Sequence, residues 1–265
     1  MRKLIYNLPN FKGKQRILLI LDKFFKTSII NVRNGIKLEG YFSSLQDTAF
    51  IKKEVENYKL EYLISNLPND GVFIDIGANN GYYSALASQK LSREGSVLSF
   101  EPSLREYRRL IFANQSNFHQ CQWLLFNIAL GSENEIVRIK ADESHTGINF
   151  ISKNKNDGTQ SCVLMKGCDI INNFIHKDKV IDLIKIDVEG YEYFVLLGLL
   201  PILKDKRVCS LQIEITDIFL KRAGSTKEML YNLLNSLGYE GQYESDEWQY
   251  NEVFILKDTK VNVIS

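Results

Sequence analysis

The sequence predicts an α/β fold: a doubly wound, mostly parallel seven-stranded sheet with an antiparallel C-terminal strand, preceded by a small N-terminal helix and hairpin extension. Three observations carry this. From residue 72 onward, short apolar runs alternate with segments of helical period, the pattern of repeated strand–helix–strand units. Val72-Phe-Ile-Asp-Ile-Gly-Ala-Asn-Asn-Gly-Tyr-Tyr-Ser84 reads as a buried strand, a glycine turn and a helix start. The next strand, Val97-Leu-Ser-Phe100, ends in Glu101-Pro102, with Glu101 about 20 residues beyond the turn, the length of one such unit.

Taken in order, residues 1–45 form the extension and 46–265 the main domain. Lys12, Lys14, Arg16, Lys23 and Lys26 flank Ile17-Leu-Leu-Ile-Leu21 and Phe24-Phe25, with Asp22 the only acid before residue 28. As a helix this stretch is amphipathic. It fits a helix packed on the main domain or on a second copy in a homo-oligomer, or a weak peripheral contact of residues 1–27 with an anionic membrane surface. Ile29 to Val32 and Ile36 to Leu38 flank Arg33-Asn34-Gly35, and Asn-Gly is a strong hairpin signal. Asp47 is placed to cap a helix running through Phe50, Val55, Tyr58 and Leu63 to about Asn66.

The glycine turn after the first core strand lets backbone N–H groups approach a ligand. Gly77 and Gly81 stand four apart, and Asn79 takes the place of the middle glycine of the dinucleotide fingerprint Gly-x-Gly-x-x-Gly. The Asp75 carboxylate at the strand end would repel a pyrophosphate and attract a cation. A cofactor with an amino acid moiety and a sulfonium therefore fits better than NAD. Glu101 supplies the carboxylate that two donating ribose hydroxyls require.

Ser103 begins the next helix, and Gln122 to Ala129 is the third core strand, with Asn127 near its end. Glu135 to Lys140 and Ser161 to Lys166 alternate apolar and polar residues as extra strands. Between them lies a polar loop, Ala141 to Gln160, containing Ser144-His145-Thr146 and Lys153; it is either a substrate loop or a surface insertion. Asp169 starts a short helix. Ile181 to Ile186 is the fourth core strand and delivers Asp187 and Glu189 beyond its carboxyl end, where open sheets bind ligands. Lys185 is positioned as a charge partner for Asp187, and Glu189 is alternatively a cap for helix Tyr191 to Leu199. Val208 to Ile215 is the fifth strand, carrying Glu214 among apolar neighbours. A helix from Thr226 to Leu237 stops at Gly238, and Tyr239 to Tyr243 with Val253 to Leu256 makes the last antiparallel pair, with Trp248 and Tyr250 in the connection.

Five of these stretches coincide with motifs of one family. Phe73-Ile-Asp-Ile-Gly-Ala-Asn-Asn-Gly81, Phe100-Glu-Pro102, Asn127-Ile-Ala-Leu-Gly131, Lys185-Ile-Asp-Val-Glu-Gly190 and Gln212-Ile-Glu214 appear in the family's order. On these the chain resembles the FkbM family of S-adenosylmethionine (SAM)-dependent O-methyltransferases. The resemblance implies a Rossmann-like class I methyltransferase domain, SAM as cofactor and S-adenosylhomocysteine (SAH) as its product. It implies a cofactor site of Asp75, Gly77, Ala78, Asn79, Gly81, Tyr82, Ser84, Glu101, Pro102, Asn127, Ile128 and Asp187, with the Asn127 amide oxygen a candidate for the adenine amino group. The acceptor it implies is a hydroxyl of a sugar, glycan or natural product; a nucleotide sugar or surface-polysaccharide precursor fits the loop lysines. Family members often carry Tyr-Glu where this chain has Tyr58-Lys59.

Methyl transfer asks an enzyme to position a nucleophile and remove its proton. Asp187 is the leading base or hydroxyl anchor, assisted by Glu189, His145 or Glu214. A competing mechanism holds a divalent cation between Asp187, Glu189 and Glu214. Two other function classes stand beside the enzyme: a cofactor-binding module without turnover, and an NAD-dependent oxidoreductase, which the glycine spacing disfavours. Composition adds bounds. At 265 residues with 45% hydrophobic and 25% charged, the chain builds one sizeable core. Net charge +1 provides no global field to recruit nucleic acid. The start lacks a secretory signal's apolar core, and Cys121, Cys162, Cys168 and Cys209 lack paired metal spacing, so reduced thiols in the cytoplasm are expected.

Overall fold

The computed structural model describes residues 13–25, 28–41, 47, 57–141, 149–152, 160–243, 245 and 247–259. His145, its neighbours and the loop lysines from Lys153 to Lys155 lie outside the described residues. Helix α1 (Lys14–Phe25) precedes the hairpin β1 (Ser28–Asn31) and β2 (Lys37–Gly40), which pair antiparallel around a 3-10 turn at Arg33–Gly35. One side of α1 buries Leu18, while Ile17, Ile20 and Phe24 are exposed. No helix among the described residues is long and apolar enough to cross a membrane.

The main sheet contains β3 (Val72–Ile76), β4 (Ser96–Phe100), β5 (Gln122–Phe126), β10 (Ile181–Ile186), β11 (Val208–Thr216), β12 (Tyr239–Gly241) and β13 (Gln249–Leu256). Their spatial order is β12-β13-β11-β10-β3-β4-β5. The five strands from β11 to β5 run parallel, and β13 pairs antiparallel with both β11 and β12. All five residues of β3 are buried, as a central strand covered on both faces requires. Val72, Ile74 and Ile76 face one apolar cluster and Phe73 the other. The chain winds outward from β3 to β5 and then returns to β10 beside β3. The order therefore reverses between β3 and β10, and the ends of these strands open a crevice.

The helices between strands are α2 (Tyr58–Ser65), α3 (Tyr82–Lys90), α4 (Leu104–Ser116), α5 (Gly167–Phe174), α6 (Glu192–Lys204), α7 (Asp217–Ala223) and α8 (Lys227–Ser236). A second sheet combines β6 (Ala129–Gly131), β7 (Glu135–Ala141), β8 (Asn149–Ser152) and β9 (Gln160–Lys166) in the order β6-β9-β7-β8.

Several expectations change here. The third core strand stops at Phe126, because Ala129 to Gly131 turns away to pair with β9. The polar loop between β7 and β9 contains a strand, β8, held antiparallel to β7. The helix expected from Asp47 to Asn66 is not continuous. Asn57 leaves helical geometry and its side chain caps α2 by accepting the Leu60 N–H at 3.0 Å. Asp47 accepts the Tyr41 N–H and pairs with buried Arg109, which also binds Glu106 at 2.7 Å and the Glu39 carbonyl at 2.8 Å; the residues it was expected to cap, 48–56, lie outside the described residues. Asn117 at the end of α4 exchanges two 2.8 Å hydrogen bonds with the Lys37 backbone. The hairpin is thus fastened to α4 by buried polar groups. Tyr250 lies within β13, not in the connection, and its hydroxyl is 3.1 Å from that of Tyr231.

Candidate active site

A cleft of about 810 Å³ opens at the carboxyl ends of β3, β4, β10 and β11. One half is built by the glycine turn and the end of β4. The Gly77 and Ala78 N–H groups donate to the Phe100 carbonyl at 2.9 and 3.0 Å, pinning the turn to β4. A Cβ on Gly77 would sit 1.9 Å from the Asp187 carbonyl oxygen, and its φ of +79° disfavours any side chain. Glycine is therefore what lets β3 and the Asp187 loop come together. Asn79, at φ +50°, presents its N–H to Glu101 Oε2 at 2.8 Å, while Glu101 Oε1 accepts the Ser103 N–H at 2.8 Å. Glu101 is 5% exposed, and burial, with Glu106 nearby, pushes its carboxyl up to about 8 despite those two donors.

Gly77, Ala78, Asn79, Tyr82, Glu101, Pro102, Ile128 and Asp187 all line this cleft. Gly81, at φ +84°, precedes α3 and packs against Leu110, away from the lining. Asp75, Ser84 and Asn127 stand behind the wall. Ser84 donates to Asp75 Oδ2 at 2.6 Å and lies 2.7 Å from Ser99, which accepts from the Trp123 indole at 2.8 Å. The Asp75 charge is met internally by Lys185 at 3.2 Å. Asn127 uses its amide N–H groups on the carbonyls of Glu101 and Pro102, at 2.8 and 3.1 Å, bracing the end of β4.

The other half is acidic. Lys185 Nζ lies 3.3 Å from Asp187 and donates to the Gly77 carbonyl at 2.8 Å. Burial pulls this amine toward neutrality, but Asp75 and Asp187 outweigh it and raise its pKa. Asp187, Glu189 and Glu214 bring carboxylate oxygens within 4.8 Å of one another. Glu189 sits at φ +58°, a conformation uncommon for residues other than glycine. Burial, then Asp187 and Glu192, push its carboxyl up to about 8. Glu214 accepts from Gln249 Nε2 at 3.0 Å, and burial followed by Asp187 and Glu189 raises its pKa well above the ordinary range. Glu189 does not cap the following helix. Glu192, at the start of that helix, reaches back instead: its Oε1 accepts the Val188 and Gly190 N–H groups at 3.1 Å each and so fixes the loop between Asp187 and Gly190.

Three buried oxygens facing this cleft have no hydrogen-bond donor: Asn79 Oδ1, Glu189 Oε2 and Gln212 Oε1. The Asn79 and Gln212 amide oxygens are acceptors, and with the Asp187 carboxylate they suit a ligand that brings hydrogen-bond donors. SAM, with its ammonium, sulfonium and ribose hydroxyls, has that character; a dinucleotide pyrophosphate does not. Lys185 stands where the sequence placed it, as the charge partner of Asp187. Two residues around the site were not singled out from sequence. Gln212 precedes Glu214 by two on β11, so the period-two rule brings it to the same face. Glu192 carries a weaker signal, an acid in the first turn of a helix.

A doubly wound α/β domain with a glycine turn and a buried strand-end carboxylate defines the class of Rossmann-like methyltransferases. The chain belongs to the FkbM methyltransferase family: the model described as "Methyltransferase FkbM domain" matches residues 75–240. A curated relative, the AMB antimetabolite synthetase AmbE of Pseudomonas aeruginosa, is 25% identical over 258 residues, covering 82% of this chain but only 12% of the relative. Similar solved structures include magnesium protoporphyrin IX methyltransferase from Synechocystis with bound SAM, 12% identical with a TM-score of 0.42, covering 74% of each chain. Another is M. jannaschii TYW2 in complex with AdoMet, 12% identical with a TM-score of 0.42, covering 86% of this chain and 84% of that one. A third is M. capricolum TrmK with SAH, 13% identical with a TM-score of 0.38, covering 76% and 68%.

Proposed function

We propose that this chain is an O-methyltransferase that moves the methyl group of SAM to a hydroxyl of a sugar, either a nucleotide sugar or a precursor of a surface polysaccharide or other glycan. The observation that supports this best is the convergence of Asp187, Glu189 and Glu214 beside the glycine turn. The carboxyl groups of Asp187, Glu189 and Glu214 offer clustered hydrogen-bonding oxygens, and a sugar presents a matching array of hydroxyls. Exposed Trp248, also on the cleft, offers a ring for the sugar's apolar face.

Bound SAM would supply a methyl group on a good thioether leaving group. The turn from Gly77 to Asn79, with Glu101 toward the ribose, would hold it. Asp187 would orient the acceptor hydroxyl and take its proton as the new C–O bond forms, with Lys185 stabilising the Asp187 carboxylate beforehand. Glu189 and Glu214 would accept hydrogen bonds from neighbouring hydroxyls and fix which oxygen reacts. A second reading, a hydroxyl of a non-sugar natural product, is supported by the relative AmbE, an antimetabolite synthetase.

The test is a panel of nucleotide sugars, glycans and small natural-product alcohols incubated with SAM and read by mass spectrometry. A sugar gaining one methyl, with turnover falling at least about 100-fold in Asp187→Asn while SAH still binds, is the expected result. Methylation of nitrogen or carbon, or full turnover in Asp187→Asn, would overturn it.

A further inference from the structure

Beyond the carboxylates' proposed contact with the acceptor, and resting on that reading only for its catalytic role, we propose that Asp187, Glu189 and Glu214 form a binding site for one hard divalent cation such as Mg²⁺, Mn²⁺ or Ca²⁺. Their candidate ligand oxygens all lie within 4.8 Å of one another. Two oxygens on opposite sides of one ion are separated by twice the metal–oxygen distance: about 4.1 Å for Mg²⁺ and about 4.6–5.2 Å for Ca²⁺. A mutual separation of no more than 4.8 Å leaves the three oxygens within reach of one such ion.

Gln212, outside the trio, supports the site independently. Gln212 is 1% exposed, lines the same cleft, and leaves its amide oxygen without a donor. It precedes Glu214 by two on β11, so both side chains emerge on one face of the sheet. The Glu189 Oε2 atom is likewise buried and unpartnered. Lys185 is committed to Asp75, Asp187 and the Gly77 carbonyl. Among the described residues neither Glu189 nor Glu214 has an ion pair. Two half-buried glutamates without an ion pair and an orphaned amide oxygen are costly unless something compensates them, and one cation would serve all three. All the donors are oxygen, which selects Mg²⁺, Mn²⁺ or Ca²⁺ over Zn²⁺ or Cu²⁺. The ion would accept two vicinal oxygens of a sugar in its open positions and make the bound hydroxyl more acidic, easing proton transfer to a carboxylate.

The probe is Mn²⁺ alone, titrated into the full chain and followed by loss of the free-ion electron paramagnetic resonance signal. One Mn²⁺ per chain, displaced by Mg²⁺ or Ca²⁺, is expected, weakened at least about tenfold in Glu214→Gln and in Glu189→Gln. Asp178→Asn, an exposed carboxylate far from the cleft, should leave it unchanged. Thermal unfolding shows whether each variant is folded, and Gln212→Leu, expected to weaken binding less, is a second variant that leaves all three carboxylates in place. No binding at millimolar Mn²⁺, or equal binding in folded Glu214→Gln and Glu189→Gln, overturns the proposal. SAH binding is titrated separately without metal, so failure of the ion site and failure of the methyltransferase reading register in different experiments.

Discussion

Glu101 links the proposed cofactor site to the stability of the ligand-free protein. Its carboxyl is pushed by burial up to about 8, against an ordinary value of 4.5. Between those values the folded chain holds a proton that the unfolded chain has released. Stability from this group is therefore fully present below about pH 4.5 and declines as pH rises toward 8. Glutamine is an isostere of the protonated acid, so Glu101→Gln should flatten part of that decline. Urea unfolding of the ligand-free protein at several pH values measures this, and an unchanged slope in the variant would contradict the assignment. A carboxylate tolerates such a site when a ligand compensates it, as the two hydroxyls of a ribose would. The identity and place of Glu101 were readable from sequence because a strand end about 20 residues past a glycine turn has only one geometric destination. The inward placement of Asp75 was not readable. Its partners Ser84, Ser99 and Lys185 come from three other elements, and only the packed sheet brings them together.

Buried polar groups join the hairpin to α4. Arg109 is fully buried between Asp47 and Glu106 and also donates to the hairpin carbonyl of Glu39. Asn80 of the glycine turn reaches Asp47 at 3.4 Å and lines the cleft, so this polar cluster extends to the cleft wall. Removing one member of a buried ion cluster strands the others, at a cost of about 3–5 kcal/mol. Arg109→Met should lower unfolding stability by that order in denaturant titration; a loss below about 1 kcal/mol would show the cluster to be dispensable. Sequence reading placed the hairpin correctly because Asn34-Gly35 allows few alternatives. It missed β8 and α7 for opposite reasons. Asn149–Ser152 is too short to show alternation and is a strand only because β7 offers it an edge. Asp217–Ala223 follows β11 with no turn residue between them, so nothing local marks the change.

Across the whole molecule, the strand order decides where chemistry is possible. Reversal between β3 and β10 gathers Gly77, Glu101, Asp187 and Glu214 from segments far apart in sequence into one cleft. The doubly wound architecture and this gathering were legible because strand-end residues in such a sheet must meet at the switch point. The electrostatic character of the cleft was less legible, since burial, not residue type alone, turns the glutamates into weak acids. The measurement that tests the account most directly is calorimetric titration of the full chain with SAM, SAH and NAD, repeated on Glu101→Ala. The account predicts one site per chain for SAM and SAH with an affinity near ~1 μM, weakened at least about tenfold in the folded variant, and no heat with NAD. Absence of SAM and SAH binding by folded protein, or equal binding by Glu101→Ala, would contradict it.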